Sequence, residues 1–142
     1  MNKKINKSLL KGICAGAALM ASTTVFAEEL YTVDGNKVDE KTWLGFKIYN
    51  RAGCSGCHGP TGEGGAAFPS LISGLKKLSK DEFMTIVKKG RKTMPPMDQA
   101  VTSLKIVKKK AKSEDEAYDG LYAYVKGRSE GDIPTGNLKK IK

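Results

Sequence analysis

The sequence predicts a small all-α domain of three or more helices, the first and last of which cross. Three observations carry this. Three segments open on a capping residue and continue with apolar residues at helical spacing. No segment alternates apolar and polar residues over more than a few positions, as a half-buried strand does. The length left after an N-terminal leader suits one domain and is too short for two.

The leader is built from a basic start, Lys3, Lys4, Lys7 and Lys11, and an apolar stretch from Gly12 through Phe26. Val25-Phe26-Ala27 then supplies small residues at the cleavage positions. The uncharged run is shorter than the roughly 20 residues of a membrane-spanning helix, so residues 1–27 read as a cleaved secretory signal. Cys14 stands near the start of the apolar stretch, so most of that stretch follows it instead of preceding it, which argues against a lipid anchor. Residues 28–142, 115 in all, form the domain.

The first helix is expected over residues 39–53. Asp39 can cap it, Glu40 suits its first turn, and Trp43, Leu44, Phe46 and Ile48 supply the apolar side. A glycine-rich loop, Gly59-Pro60-Thr61-Gly62-Glu63-Gly64-Gly65, follows; it lacks the spacing of a phosphate-binding loop. The second helix opens on Ser79-Lys80-Asp81-Glu82, a capping box, presents Phe83, Ile86 and Val87 on one side, and stops at Gly90. The last opens on Ser113-Glu114-Asp115-Glu116, again a capping-box pattern. It carries Tyr118, Leu121, Tyr122 and Val125 at i, i+3, i+4, i+7 and ends before Gly131 and Pro134. Trp43, Phe46, Tyr118 and Tyr122 read as core.

Directly after the first helix stand Cys54, Ser55, Gly56, Cys57 and His58, a C-x-x-C-H motif, and His58 is the single histidine of the chain. Two thiols three positions apart can add to the two vinyl groups of a haem, and the adjacent imidazole can reach the iron. A structural zinc site needs four ligands, and the one remaining cysteine, Cys14, lies in the leader. A thioredoxin-like dithiol calls for a βαβ pattern that is missing here. One motif therefore implies one covalent haem c. It also acts as the staple that a domain this small needs, since no thiols remain for a disulfide. The carbonyl of Pro69 is placed to accept the second imidazole N–H of His58.

The sixth ligand has to come from another residue type. Met94 and Met97 bracket Pro95-Pro96, a rigid extended pair suited to presenting a thioether, with Met94 the first choice and Met97 the fallback. Met84 falls in mid-helix beside Phe83 and reads as core filler. A lysine, water or an open site stays possible at this point. His/Met ligation favours the ferrous state and leaves no place for substrate, which describes an electron carrier and no enzyme.

The chain is basic. Removal of the four leader lysines lowers the net charge from +10 to +6. The excess concentrates at Lys76, Lys77, Lys80, Lys88, Lys89, Arg91 and Lys92, and at Lys105, Lys108, Lys109, Lys110 and Lys112. No aromatic pattern is interleaved with these residues, so nucleic acid is not an expected partner. They form either a solvated face or a surface that steers an acidic redox partner.

With a helix leading into Cys54-x-x-Cys57-His58, a glycine-rich turn, Phe68-Pro69, then Met94-Pro95-Pro96 and an aromatic last helix, the chain resembles the monohaem class I c-type cytochromes. The resemblance implies the small class I cytochrome c fold wrapped around one covalent haem. It also implies His58 as proximal and Met94 as distal ligand. Residues 31–39 and the segment from Tyr122 to Pro134 are similar to the cytochrome c-L type, which accepts electrons from PQQ-dependent methanol and other alcohol dehydrogenases. Between residues 100 and 112 a lysine-rich stretch stands where that subgroup has a shorter, less charged connection. The implied protein is a monomeric periplasmic shuttle without a membrane span after processing. It takes electrons from such a dehydrogenase and passes them to a terminal oxidase or another cytochrome. The competing readings are a haem sensor or peroxidase-like enzyme with an open sixth site, and a fixed electron-transfer subunit of a larger complex.

Overall fold

Asp39 caps the first helix, α1 (Glu40–Arg51), by accepting the backbone N–H of Thr42 at 3.0 Å and its hydroxyl at 2.7 Å. The other elements of the computed structural model, which describes residues 29–142, follow in chain order. They are α2 (Cys54–His58), α3 (Leu71–Gly74), α4 (Lys80–Lys89), α5 (Asp98–Thr102), α6 (Lys105–Lys110) and α7 (Glu114–Glu130). The expected leader, residues 1–27, lies outside the described residues.

Helix α4 carries a complete capping box: Ser79 accepts the Glu82 N–H, and the Glu82 carboxylate accepts the Ser79 N–H at 2.9 Å. These bonds hold the Glu82 carboxyl below the usual carboxylate range. In α7 only half of the expected box forms. Ser113 accepts the Glu116 N–H at 3.2 Å, but the Glu116 carboxylate reaches one residue further back and accepts the N–H of Lys112. Gly131, at φ +87°, closes α7.

The all-α expectation needs one addition. Three two-residue strands form a small sheet in the order β1 (Val33–Asp34), β2 (Lys37–Val38), β3 (Lys139–Lys140), the first pair antiparallel and the second parallel. Strands this short show no period-two pattern to read. Their effect is to fasten the segment after α7 onto the start of α1. Lys140 bonds Glu40 at 3.1 Å and lies over the Trp43 ring, whose other cationic neighbour is Lys47. Trp43 is thus half-buried at the rim of the core.

The lysine-rich stretch also folds. Val101 of α5 and Val107 of α6 are buried while Lys105, Lys108, Lys109 and Lys110 are exposed, and Lys110 pairs with Glu40. Core packing centres on α7, which has neighbours on nearly every side. Besides the expected Tyr118, Leu121, Tyr122 and Val125, it buries Ala117, Ala123 and Tyr124. Tyr124 packs against Phe46 and Tyr49 of α1, with ring centroids 5.5 and 5.4 Å apart.

Helices α1 and α7 meet at Gly45 and Gly120. A β-carbon on Gly45 would overlap the carbonyl of Gly120, and one on Gly120 would overlap the carbonyl of Lys41. The obstruction is backbone and cannot rotate aside, so the crossing excludes side chains from both positions. Gly45→Ala or Gly120→Ala is expected to cost about 3 kcal/mol of stability in denaturant unfolding. Gly65→Ala, whose β-carbon meets open space, should stay within about 0.5 kcal/mol of wild type. Equal tolerance at all three positions would refute the crossing.

Candidate functional site

At the end of α1, Gly53 adopts φ +93° and turns the chain into the short helix α2, which carries Cys54, Cys57 and His58. Cys54 is half-buried, Cys57 is exposed, and His58 is only 8% exposed. Burial pushes the Cys54 thiol up to about 11. The His58 Nδ1 lies 2.9 Å from the carbonyl oxygen of Pro69. A carbonyl can only accept, so Nδ1 carries the proton and Nε2 keeps its lone pair for a metal.

These residues open onto a cavity of about 540 Å³, in the range of small-ligand sites. Leu71, Leu75, Leu78 and Ile86 give it apolar walls, and Arg91 to Pro95 together with Met97 complete it. Met94 and Met97 both line the cavity, whereas Met84 packs against the core. Met94 closes a two-residue turn, with Arg91 and Met94 exchanging backbone hydrogen bonds of 3.0 Å in both directions. Gly90 precedes the turn at φ +77°, where a β-carbon would come 2.5 Å from the carbonyl oxygen of Met94.

The loop between Cys57 and α3 is held from the far side by residues that sequence reasoning did not single out. Tyr49 donates its hydroxyl to the Gly59 carbonyl at 2.6 Å. Arg128 of α7 donates to the carbonyls of Thr61 and Ile133 and pairs with Glu63, whose carboxylate accepts the Thr61 N–H. Ser129 donates to the Ile72 carbonyl at 2.7 Å. Within the loop, Gly64 donates to the His58 carbonyl at 2.7 Å. A β-carbon on Gly64 would come within 2.6 Å of the Ser70 nitrogen. Thr61 lies 67 positions from Arg128 and Ile72 lies 57 from Ser129, so spacing gives no sign of these contacts.

Two thiols and a buried imidazole with a free Nε2 adjoin an apolar cavity that thioethers also line. The site fits a covalently attached planar macrocycle whose iron takes soft and nitrogen ligands. Among the described residues, no three His, Cys, Asp or Glu side chains gather around one point as a protein-only metal site would require. Fold and site together define a c-type cytochrome.

Residues 42–125 match the family described as Cytochrome C oxidase, cbb3-type, subunit III. The chain is 50% identical over 103 residues to cytochrome c-555 of Methylococcus capsulatus, covering 72% of this chain and 75% of that one. It is 29% identical over 106 residues to cytochrome c-553I of Paracoccus denitrificans, covering 72% of this chain and 44% of that one. The crystal structure of the c-type cytochrome XoxG from Methylobacterium extorquens AM1 superimposes with a TM-score of 0.58 at 32% identity. That match covers 78% of this chain and 65% of the XoxG chain. The chain belongs to the cytochrome c family, as a monohaem class I member carrying one haem c. The relatives named are themselves cytochromes. No helix among the described residues is long and apolar enough to cross a membrane.

Removing Arg128 as Arg128→Met leaves two carbonyls without their donor and is expected to cost about 2 kcal/mol. Tyr49→Phe, which frees one carbonyl, should cost about 1 kcal/mol. Denaturant titration of the holoprotein measures both, and wild-type stability in Arg128→Met would show that the brace contributes nothing.

Proposed function

We propose that this cytochrome is a periplasmic electron shuttle in which Cys54 and Cys57 form the two thioethers, His58 is the proximal ligand and Met94 the distal one. The observation that carries the reading is the buried His58, oriented by Pro69, on a cavity that a half-buried methionine also lines. Haem c supplies a one-electron ferric/ferrous couple. The protein holds the ligands in place, with Pro69 orienting His58.

Met94 is favoured over Met97 by packing. The Met97 side chain leans on the hydrophobic core and its N–H is bonded to the Val87 carbonyl at 2.8 Å. Met94 is half-buried, lines the cavity and is not among the residues packed against that core, which favours it as the free thioether. With His58 and Met94 both engaged, no coordination position is left for a substrate or a gas, which supports a carrier over a peroxidase-like enzyme or sensor.

The donor in this reading is a PQQ-dependent alcohol dehydrogenase, with methanol as the substrate class oxidised upstream. The acceptor is a terminal oxidase or another cytochrome. The likeness of residues 31–39 and of the segment from Tyr122 to Pro134 to the c-L type supports the donor. The signal-like residues 1–27 support export and cleavage. The exposed lysines of α6 supply a basic face for an acidic partner.

Met94→Ala should abolish the near-infrared band of a methionine-ligated ferric haem and lower the reduction potential, while Met97→Ala keeps both. The opposite pattern would make Met97 the ligand. Reduction by a PQQ-dependent alcohol dehydrogenase should slow by about tenfold or more from low to physiological salt, as steered association does. A salt-independent rate would remove the lysines from docking.

A further inference from the structure

We propose that Arg91 and Lys92 are the groups that hold the two propionate carboxylates of the haem, and that they tune its potential through the same turn that presents Met94. The inference rests on the reading that the haem occupies the cavity beside His58.

Two side chains that carry full charge line that cavity, Arg91 and Lys92, and both are cationic; no carboxylate shares the lining. A haem brings two carboxylates. Against apolar walls such as Leu75, Leu78 and Ile86 they require charged donors, because an unpaired carboxylate is costly to take out of water. Both cations are free to supply them. Among the described residues, neither Arg91 nor Lys92 makes an ion pair. The adjoining groove holds two acids, Asp81 and Glu82; neither pairs with Arg91, and Glu82 already accepts the N–H and hydroxyl of Ser79 at 2.9 and 2.8 Å.

The backbone gives a second, independent sign. Lys92 has φ +55° and is the single non-glycine residue with positive φ among the described residues. Side chains resist this conformation, and a glycine there would relieve it. An extended segment would send successive side chains to opposite faces. The left-handed turn at Lys92 instead leaves Arg91, Lys92 and Thr93 all lining the cavity, just before Met94. Backbone strain kept at a lysine is accounted for by what that lysine reaches.

The test uses purified holoprotein, with haem content and the methionine band checked first. Arg91→Gln and Lys92→Gly should each lower the reduction potential, since a cation close to the iron disfavours the ferric form. Each should also shift the haem carboxylate vibrations in resonance Raman spectra, while Arg91→Lys keeps both near wild type. Lys92→Gly removes the strained backbone along with the charge, so its thermal stability should equal or exceed that of wild type, separating charge from folding. Unchanged potentials and vibrations in haem-replete variants would overturn the assignment. So would a change confined to the salt dependence of partner reactions, which would make the pair docking groups. A wild-type holoprotein lacking the methionine band would refute the ligand reading itself, a separate failure visible before any variant is made.

Discussion

The contact of Gly45 with Gly120 brings the backbones of α1 and α7 closer than any side chain allows, and the placement of the haem-attachment motif follows from it. With α1 pinned to α7 at this point, its last turn and the α2 helix behind it have a fixed position relative to the C-terminal end of α7. Around the crossing, Phe46 and Tyr49 stack on Tyr124, so the interface is both close and filled with aromatic area. The β3 strand and the Lys140 contacts with Glu40 and Trp43 hold the other end of α1.

From this frame the chain suspends two loops. One runs from His58 to α3 and is braced by Tyr49, Arg128 and Ser129, so the Pro69 carbonyl is available to fix the imidazole. The other runs from Gly90 to Met97 and is tied by the exchange between Arg91 and Met94 and by the bond from Met97 to Val87. Both loops are thereby fixed by hydrogen bonds to backbone and side-chain partners already in the fold.

Local patterns were legible wherever the chemistry is local. Capping at Asp39 and Ser79, the glycine stop after α4, and the C-x-x-C-H attachment segment all depend on residues within four positions of one another. The half-formed box at Ser113 shows the limit even here, because Glu116 had a competing donor in Lys112 that residue types do not rank. The three short strands and the folding of the lysine-rich stretch into α5 and α6 were not legible. Strands of two residues have no period, and α6 packs because Val107 finds the core, which a lysine-rich composition read as a solvated or partner-steering face does not announce.

By itself the sequence determined the haem type and marked Cys54, Cys57 and His58 as the expected attachment segment, with any sixth ligand left to a residue other than a second histidine, since the chain has a single histidine beside one pair of thiols at the right spacing. Tertiary structure decided what distant segments do to one another. It made Gly45 and Gly120 indispensable and gave Arg128 and Ser129 their role in holding the loop. It brought both Met94 and Met97 to the cavity, with Met97 also packed against the core, and it left Arg91 and Lys92 as the charged lining. Each of these depends on which backbones approach across many tens of residues, and side-chain spacing along one chain carries no record of that approach.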